Sequence, residues 1–237
     1  MLSDKTLARI VGVLFIVASA SAIIGGSLLL PLTETDFIAE TAANEAQIVS
    51  GVLIEWILVL SVIGIAVMIH PVLKRRDEGL ALAYVGARTL EAVLLLAASM
   101  SALVILTLSR DFGGTGASGV DAVGSSLLAA RDWTYLIGSM VALGVSALLL
   151  NSLLFQAKLV PSWLSIWGLL GGGLILLRGV VEAYGTEFSG PVQALIAGPI
   201  AIQEMVLAIW LIVRGFDTTE PRATEDPMVA LDVVEPV

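Results

Sequence analysis

Arg88 and Glu91 stand three residues apart inside an apolar run that starts near Gly79 and ends near Leu108. That spacing brings both side chains onto one helical face, so the guanidinium carries its own counter-ion. A run of this length crosses a bilayer as a tilted helix, since about 20 residues at roughly 1.5 Å each cover the hydrocarbon core. Arg88 then lies roughly 12 Å along the helix, near mid-membrane. An ionised side chain there costs about 3 kcal/mol or more unless something pairs with it.

Other apolar runs carry charges too. Tyr84 lies one turn before Arg88. Glu55 lies in the second run, and Gln203 and Glu204 lie in the middle of the last. Arg178 and Glu182, four apart, share one face. Arg131, Asp132 and Tyr135 occupy the first turns of a fourth run. Counting residues along each run puts Glu204 beside Arg88 and Glu91 in depth, Glu55 somewhat farther toward the outside, and the remaining charges in the outer leaflet. The carboxylates Glu55, Glu91, Glu182 and Glu204 outnumber the guanidiniums Arg88 and Arg178. The excess must be protonated, hydrated or neutralised by a bound cation or cationic ligand group. Glu204 or Glu55 is the expected proton holder. The pattern points to a polar cavity inside the bundle that opens outward. Its candidate ligand- or ion-binding residues are Glu55, Tyr84, Arg88, Glu91, Arg131, Tyr135, Arg178, Glu182, Gln203 and Glu204. The plainer alternative is that the two local pairs only tie helices together.

The elements that must position these residues follow from composition. The chain has 237 residues, 57% of them hydrophobic and only 14% charged, with a mean hydropathy of +0.97. Several apolar runs of bilayer length define an all-α integral membrane bundle of six transmembrane helices. The expected spans are about 8–30, 48–73, 79–108, 129–155, 161–183 and 192–213, within a domain of residues 1–214. Residues 215–237, rich in Pro, Asp and Glu, read as an acidic disordered tail. Pro31 is expected to stop the first helix, and Pro161 to begin the fifth at its first position. The acidic stretch 32–47 suits a short surface helix. The Gly- and Ser-rich stretch Arg110–Ser126 reads as a flexible loop.

Orientation follows from the basic residues. Lys5, Arg9, Lys74, Arg75, Arg76, Lys158, Arg214 and Arg222 fall on one side of a six-pass chain. The positive-inside rule makes that side, with both termini, cytoplasmic in a cell membrane. Trp163, Trp167 and Trp210 near that side and Trp133 near the other fit interfacial positions.

Several chemistries find no support. There is no cysteine, and His70 is the single histidine, which removes thiolate catalysis and His- or Cys-rich metal centres. No GxSxG, HExxH or P-loop pattern occurs. No lysine lies within an apolar run, as a retinal Schiff base would need. No catalytic residue and no metal set is therefore assigned, and any cofactor is unknown. The net charge of −9 without a basic stripe argues against nucleic acid. Small residues supply packing faces: Ala197, Ala201 and Ala208 around Glu204, and Gly168 and Gly172 as a GxxxG. Such faces could equally meet a second copy or a membrane partner. Gly171-Gly172-Gly173 could be a weak point in its helix. A faint likeness between the surroundings of Glu55 and Glu204 hints at a repeated hairpin.

Three short segments resemble a known family: Ala8-Arg9-Ile10-Val11-Gly12, then Arg88-Thr89-Leu90-Glu91-Ala92, and Val160-Pro161-Ser162-Trp163-Leu164 on to Gly168. They are similar to an uncharacterised family of small multi-pass membrane proteins of bacteria and archaea, known only as a domain of unknown function. The resemblance covers about residues 5–215. It implies an integral membrane protein of about six helices in which Arg88 and Glu91 matter, and it carries no reaction or ligand. The loop at 110–126 departs from the family pattern.

Three functions compete for these residues. The first is binding or transport of a proton, a cation or a small amphipathic ligand in the outward cavity. The second is a structural or accessory subunit whose charges fix helix packing. The third is acid–base chemistry on a lipid or isoprenoid, which only the paired carboxylates favour. An enzyme is the least supported of the three.

Overall fold

The computed structural model describes residues 2–112 and 119–217. Every regular element among them is helical. Helix α1 spans Asp4–Leu28, followed by a 3₁₀ turn at Leu30–Thr33 and the short α2, Phe37–Ala43. Helices α3 (Glu45–Leu73) and α4 (Glu78–Phe112) come next. One continuous rod follows, made of α5 (Val120–Leu136), a π-helical segment (Ile137–Ala142) and α6 (Leu143–Gln156). Helices α7 (Ser162–Ala183) and α8 (Gly190–Val213) are the last among the described residues. Six helical rods are long and apolar enough to cross a membrane. Even the shortest, α7, reaches about 33 Å, enough for a hydrocarbon core of about 30 Å.

The boundaries differ from expectation in instructive places. The Gly/Ser stretch is mostly helix. Arg110–Phe112 ends α4, and Val120–Ser126 begins α5, which leaves residues 113–118 outside the described part. Ile38 of α2 and Leu106 of α4 join a small apolar cluster with Val120 and Leu127, so tertiary burial overrides the turn-like composition. Pro161 is the cap before α7 rather than its first residue, with extended ψ of 135°. Helix α7 runs unbroken through the Gly171–Gly173 triplet. The predicted acidic tail lies outside the described residues from position 218 onward.

The rods pack in chain order as a closed ring. Each touches its successor: α1 with α3, α3 with α4, α4 with the α5–α6 rod, that rod with α7, and α7 with α8. Helix α8 then returns to α1. Glycines permit the closest approaches. A Cβ on Gly12 would come 2.6 Å from the Ala208 carbonyl oxygen, which is how α8 closes onto α1. Gly168 accommodates the Asn151 amide, and Gly144 lies against Leu176. Gly168 and Gly172 of α7 and Ala208 of α8 are thus used within the chain, while Ala201 is exposed, consistent with packing driven by close backbone contact in lipid.

Both described ends of the chain meet at one end of the bundle. Arg75 donates two hydrogen bonds to Asp4, at 2.7 and 2.9 Å, and the Asp217 amide donates to Leu159 O at 2.8 Å. This is the terminal end. The other, distal end holds α2, the Arg110–Glu45 ion pair and the turn after α7. Around the outside, Ile23, Leu60, Leu170, Leu195 and Ile209 are broadly exposed. An apolar perimeter of this kind suits acyl chains as its solvent.

Candidate functional site

Of the charged residues in the apolar runs, Glu55, Arg88, Glu91, Arg131 and Arg178 are buried, Glu182 and Glu204 are partly buried, and Asp132 is exposed. Arg88 and Glu91 are almost fully buried on α4, and their three-residue spacing makes the expected pair. Arg88 Nη1 donates to both Glu91 oxygens at 3.1 Å, and Nε donates to the Tyr84 hydroxyl at 3.2 Å. Nη2 reaches Glu204 Oε1 at 3.4 Å. Helix α8 stands across the ring from α4, three steps away in either direction, so this ion pair spans the interior. Arg88 lies about 15 Å along α4 from the terminal end, and Glu204 about 14 Å from the same end of α8. Equal depth lets two distant helices share one guanidinium. Ser146 of α6 donates to Glu91 Oε2 at 3.4 Å, and the rings of Phe15 and Tyr84 lie 5.9 and 5.7 Å from the guanidinium carbon. Four helices therefore meet on the Arg88–Glu91 pair.

Glu55 does not join this group, contrary to its grouping with the excess carboxylates. Arg131 of α5 claims it instead. Arg131 Nη2 donates to Glu55 Oε1 at 2.8 Å and Nη1 to Oε2 at 3.4 Å. Ser99 donates to Oε2 at 2.6 Å, and Arg131 Nη1 also donates to the Ala98 carbonyl at 2.8 Å. The guanidinium passes over the intervening α4 to reach α3, and its carbon sits 5.9 Å from the Tyr135 ring. This network is locally neutral and well supplied with donors.

The other candidates separate further. Arg178 Nε donates to Glu182 at 2.9 Å, and Nη1 donates to Gln193 O at 3.4 Å, which joins the end of α7 to the start of α8. Gln203 turns away from Glu204, as successive helical residues must, being about 100° apart. It donates to Asn151 Oδ1 and to Leu164 O, each at 3.2 Å, while its own carbonyl oxygen and the Ser165 hydroxyl are buried without partners among the described residues.

Two cavities connect these groups. A cleft of about 770 Å³ at the distal end is lined by Glu55, Arg131, Asp132, Tyr135, Glu182 and Glu187, with Trp133 and Phe188 among its apolar walls. A smaller cavity of about 110 Å³ lies in the ring, bounded by Phe15, Arg88, Glu91, Tyr135, Ser139 and Glu204. The single outward cavity expected from the sequence is thus two spaces at different depths.

Sequence reasoning missed Phe15, Ser99, Ser139 and Ser146. The serines were visible as isolated hydroxyls in apolar runs, but a serine can also bond its own helix four residues back, as Ser99 does to Leu95 O. Among the described residues no group of three or more His, Cys, Asp or Glu is placed to hold a metal ion.

A ring of bilayer-length helices, apolar outside and ionic within, defines a multi-pass membrane protein. Within that class, the model of a family described as Domain of unknown function (DUF4386) matches residues 10–215, and the chain belongs to that family. No curated protein and no solved structure matches the chain.

Proposed function

We propose that this protein binds or transports a proton, a cation or a small cation-bearing amphipathic ligand. The site is the Arg88–Glu91–Glu204 group, entered through the distal cleft, in a cell membrane with both termini cytoplasmic. The observation that supports it is the sharing of one buried guanidinium between two carboxylates beside unfilled space. Ionised, the group carries one negative charge too many, and such a charge at mid-membrane invites a positive occupant. The distal cleft has the size of a small-molecule site, commonly about 300–1,000 Å³. The orientation rests on the Lys5, Lys74, Arg75, Arg76 and Arg214 side of the bundle.

The test uses the full chain in proteoliposomes under an imposed potential, with flux of protons, sodium and tetraphenylphosphonium measured in turn. At least one flux should appear, fall to the protein-free level in Glu204→Gln, and persist in Glu34→Gln, which alters an exposed loop. Fluxes indifferent to Glu204→Gln would sink this reading.

One observation favours a second role for part of the charge. Arg131, Glu55 and Ser99 satisfy one another without any ligand and bridge α3, α4 and α5. That network suits a device that fixes helix packing, as in an accessory subunit.

A further inference from the structure

One side chain lines both cavities. Tyr135, on the last turn of α5, faces the distal cleft on one side and the inner cavity on the other. The π-helical segment begins two residues later. Within it, Met140 lines the cleft and Ser139 lines the inner cavity, and the Ser139 hydroxyl donates to Tyr135 O at 2.7 Å. π turns are rare and concentrate where function keeps an inserted residue in a helix. The partition between the two spaces therefore sits on the least regular turn of its rod.

The inner site also discriminates among occupants. Glu91 is well served, with both oxygens on Arg88 and one also accepting from Ser146. Glu204 accepts one hydrogen bond, at 3.4 Å, and its other oxygen has no donor among the described residues. Its side chain is also the more open of the two, 17% exposed against 5%. At about 110 Å³ the inner cavity is far smaller than the distal cleft of about 770 Å³, and it has room for water. Among the described residues no third His, Cys, Asp or Glu joins the two carboxylates.

Resting on the reading of this group as a binding site, we propose that its occupant is a single proton carried on Glu204, exchanged with the distal cleft past Tyr135 as a gate. In the exchange the carboxyl O–H bond breaks and the proton passes to a water in the inner cavity. The carboxylate left behind shares Arg88 with Glu91 until a proton returns. The charged and titratable groups facing Glu204 are Tyr84, Arg88 and Glu91 from α4 and Tyr135 from α5. Helix α6 offers the Ser146 hydroxyl, and α1 and α3 offer no titratable group to the cavity.

The full chain in lipid nanodiscs, followed by infrared spectroscopy, tests this. At neutral pH one protonated-carboxyl band is expected. Glu204→Gln should remove it, and so should Glu91→Gln, because one remaining carboxylate then has Arg88 to itself. Tyr135→Ala should speed hydrogen–deuterium exchange of the band by about tenfold or more by lowering the cost of opening, and the bulkier Tyr135→Trp should slow it. If Tyr135→Ala does not fold, Tyr135→Leu against Tyr135→Trp makes the same comparison. Absence of the band, or its survival in Glu204→Gln, overturns the proton assignment while Glu204-dependent flux would keep the binding reading alive. Equal exchange rates in all Tyr135 variants overturn the gate. A band that behaves as expected beside Glu204-independent flux sinks transport and leaves the proton site standing.

Discussion

Removal of Arg88 is costly, because among the described residues it is the one cation paired with both Glu91 and Glu204. Arg88→Ala strands them, and breaking a buried pair on one side typically costs about 3–5 kcal/mol. Unfolding in mixed micelles should show a loss of that order, with Glu204→Gln far milder because its contact is long. Arg131→Ala should cost about as much, since Glu55 is then left alone in the interior. Adding Glu55→Leu to Arg131→Ala should restore most of the loss, the mark of a packing pair; no recovery would show that Arg131 does something else. The local pairs Arg88–Glu91 and Arg178–Glu182 could be read from the chain, because spacings of three and four dictate a shared helical face. Glu55 could not be assigned, because Arg131 is 76 residues away and looked like a residue at the helix entrance. The depth of a charge depends on where its helix starts, and α5 starts at Val120, earlier than its composition suggested.

Helices α6, α7 and α8 are held by close approaches that a single methyl would disturb. Gly168→Ala would drive a Cβ into the Asn151 side-chain amide, so the amide must move and its hydrogen bond from Gln203 must go. Overpacking of this kind costs about 1–3 kcal/mol. Gly173, one turn and a half along the same helix, has open space around its Cβ position. Gly173→Ala should be neutral or stabilising by up to about 1 kcal/mol, the propensity advantage of alanine in a helix. Thermal unfolding of the two variants in detergent checks the contrast. Six apolar runs made the rods legible, since bilayer length and hydropathy need no tertiary information. The glycines were legible as packing residues, while their partners were not, because a small-residue face fits several neighbours equally well. The π-helical segment left no sequence mark at all.

For the molecule as a whole, the ring order follows the chain, and an even number of passes brings Asp4 and Asp217 to one end. The proposed orientation can be tested cheaply because the chain has no cysteine of its own. Single variants Arg76→Cys at the terminal end and Thr186→Cys at the distal end should label oppositely in intact cells. A membrane-impermeant maleimide should reach the second only, and labelling of the first alone would invert the topology. Residue types and their order were enough to give a six-pass all-helical protein, a one-sided distribution of basic residues and charges that must turn inward. Those follow from the solvation cost of each segment taken separately. Which carboxylate met which guanidinium, and whether the polar space was one cavity or two, depended on helix phase and on contacts between segments far apart in the chain. Burial costs are local to a run, whereas pairing is a property of the closed ring, and only its closure brings Glu204 to Arg88.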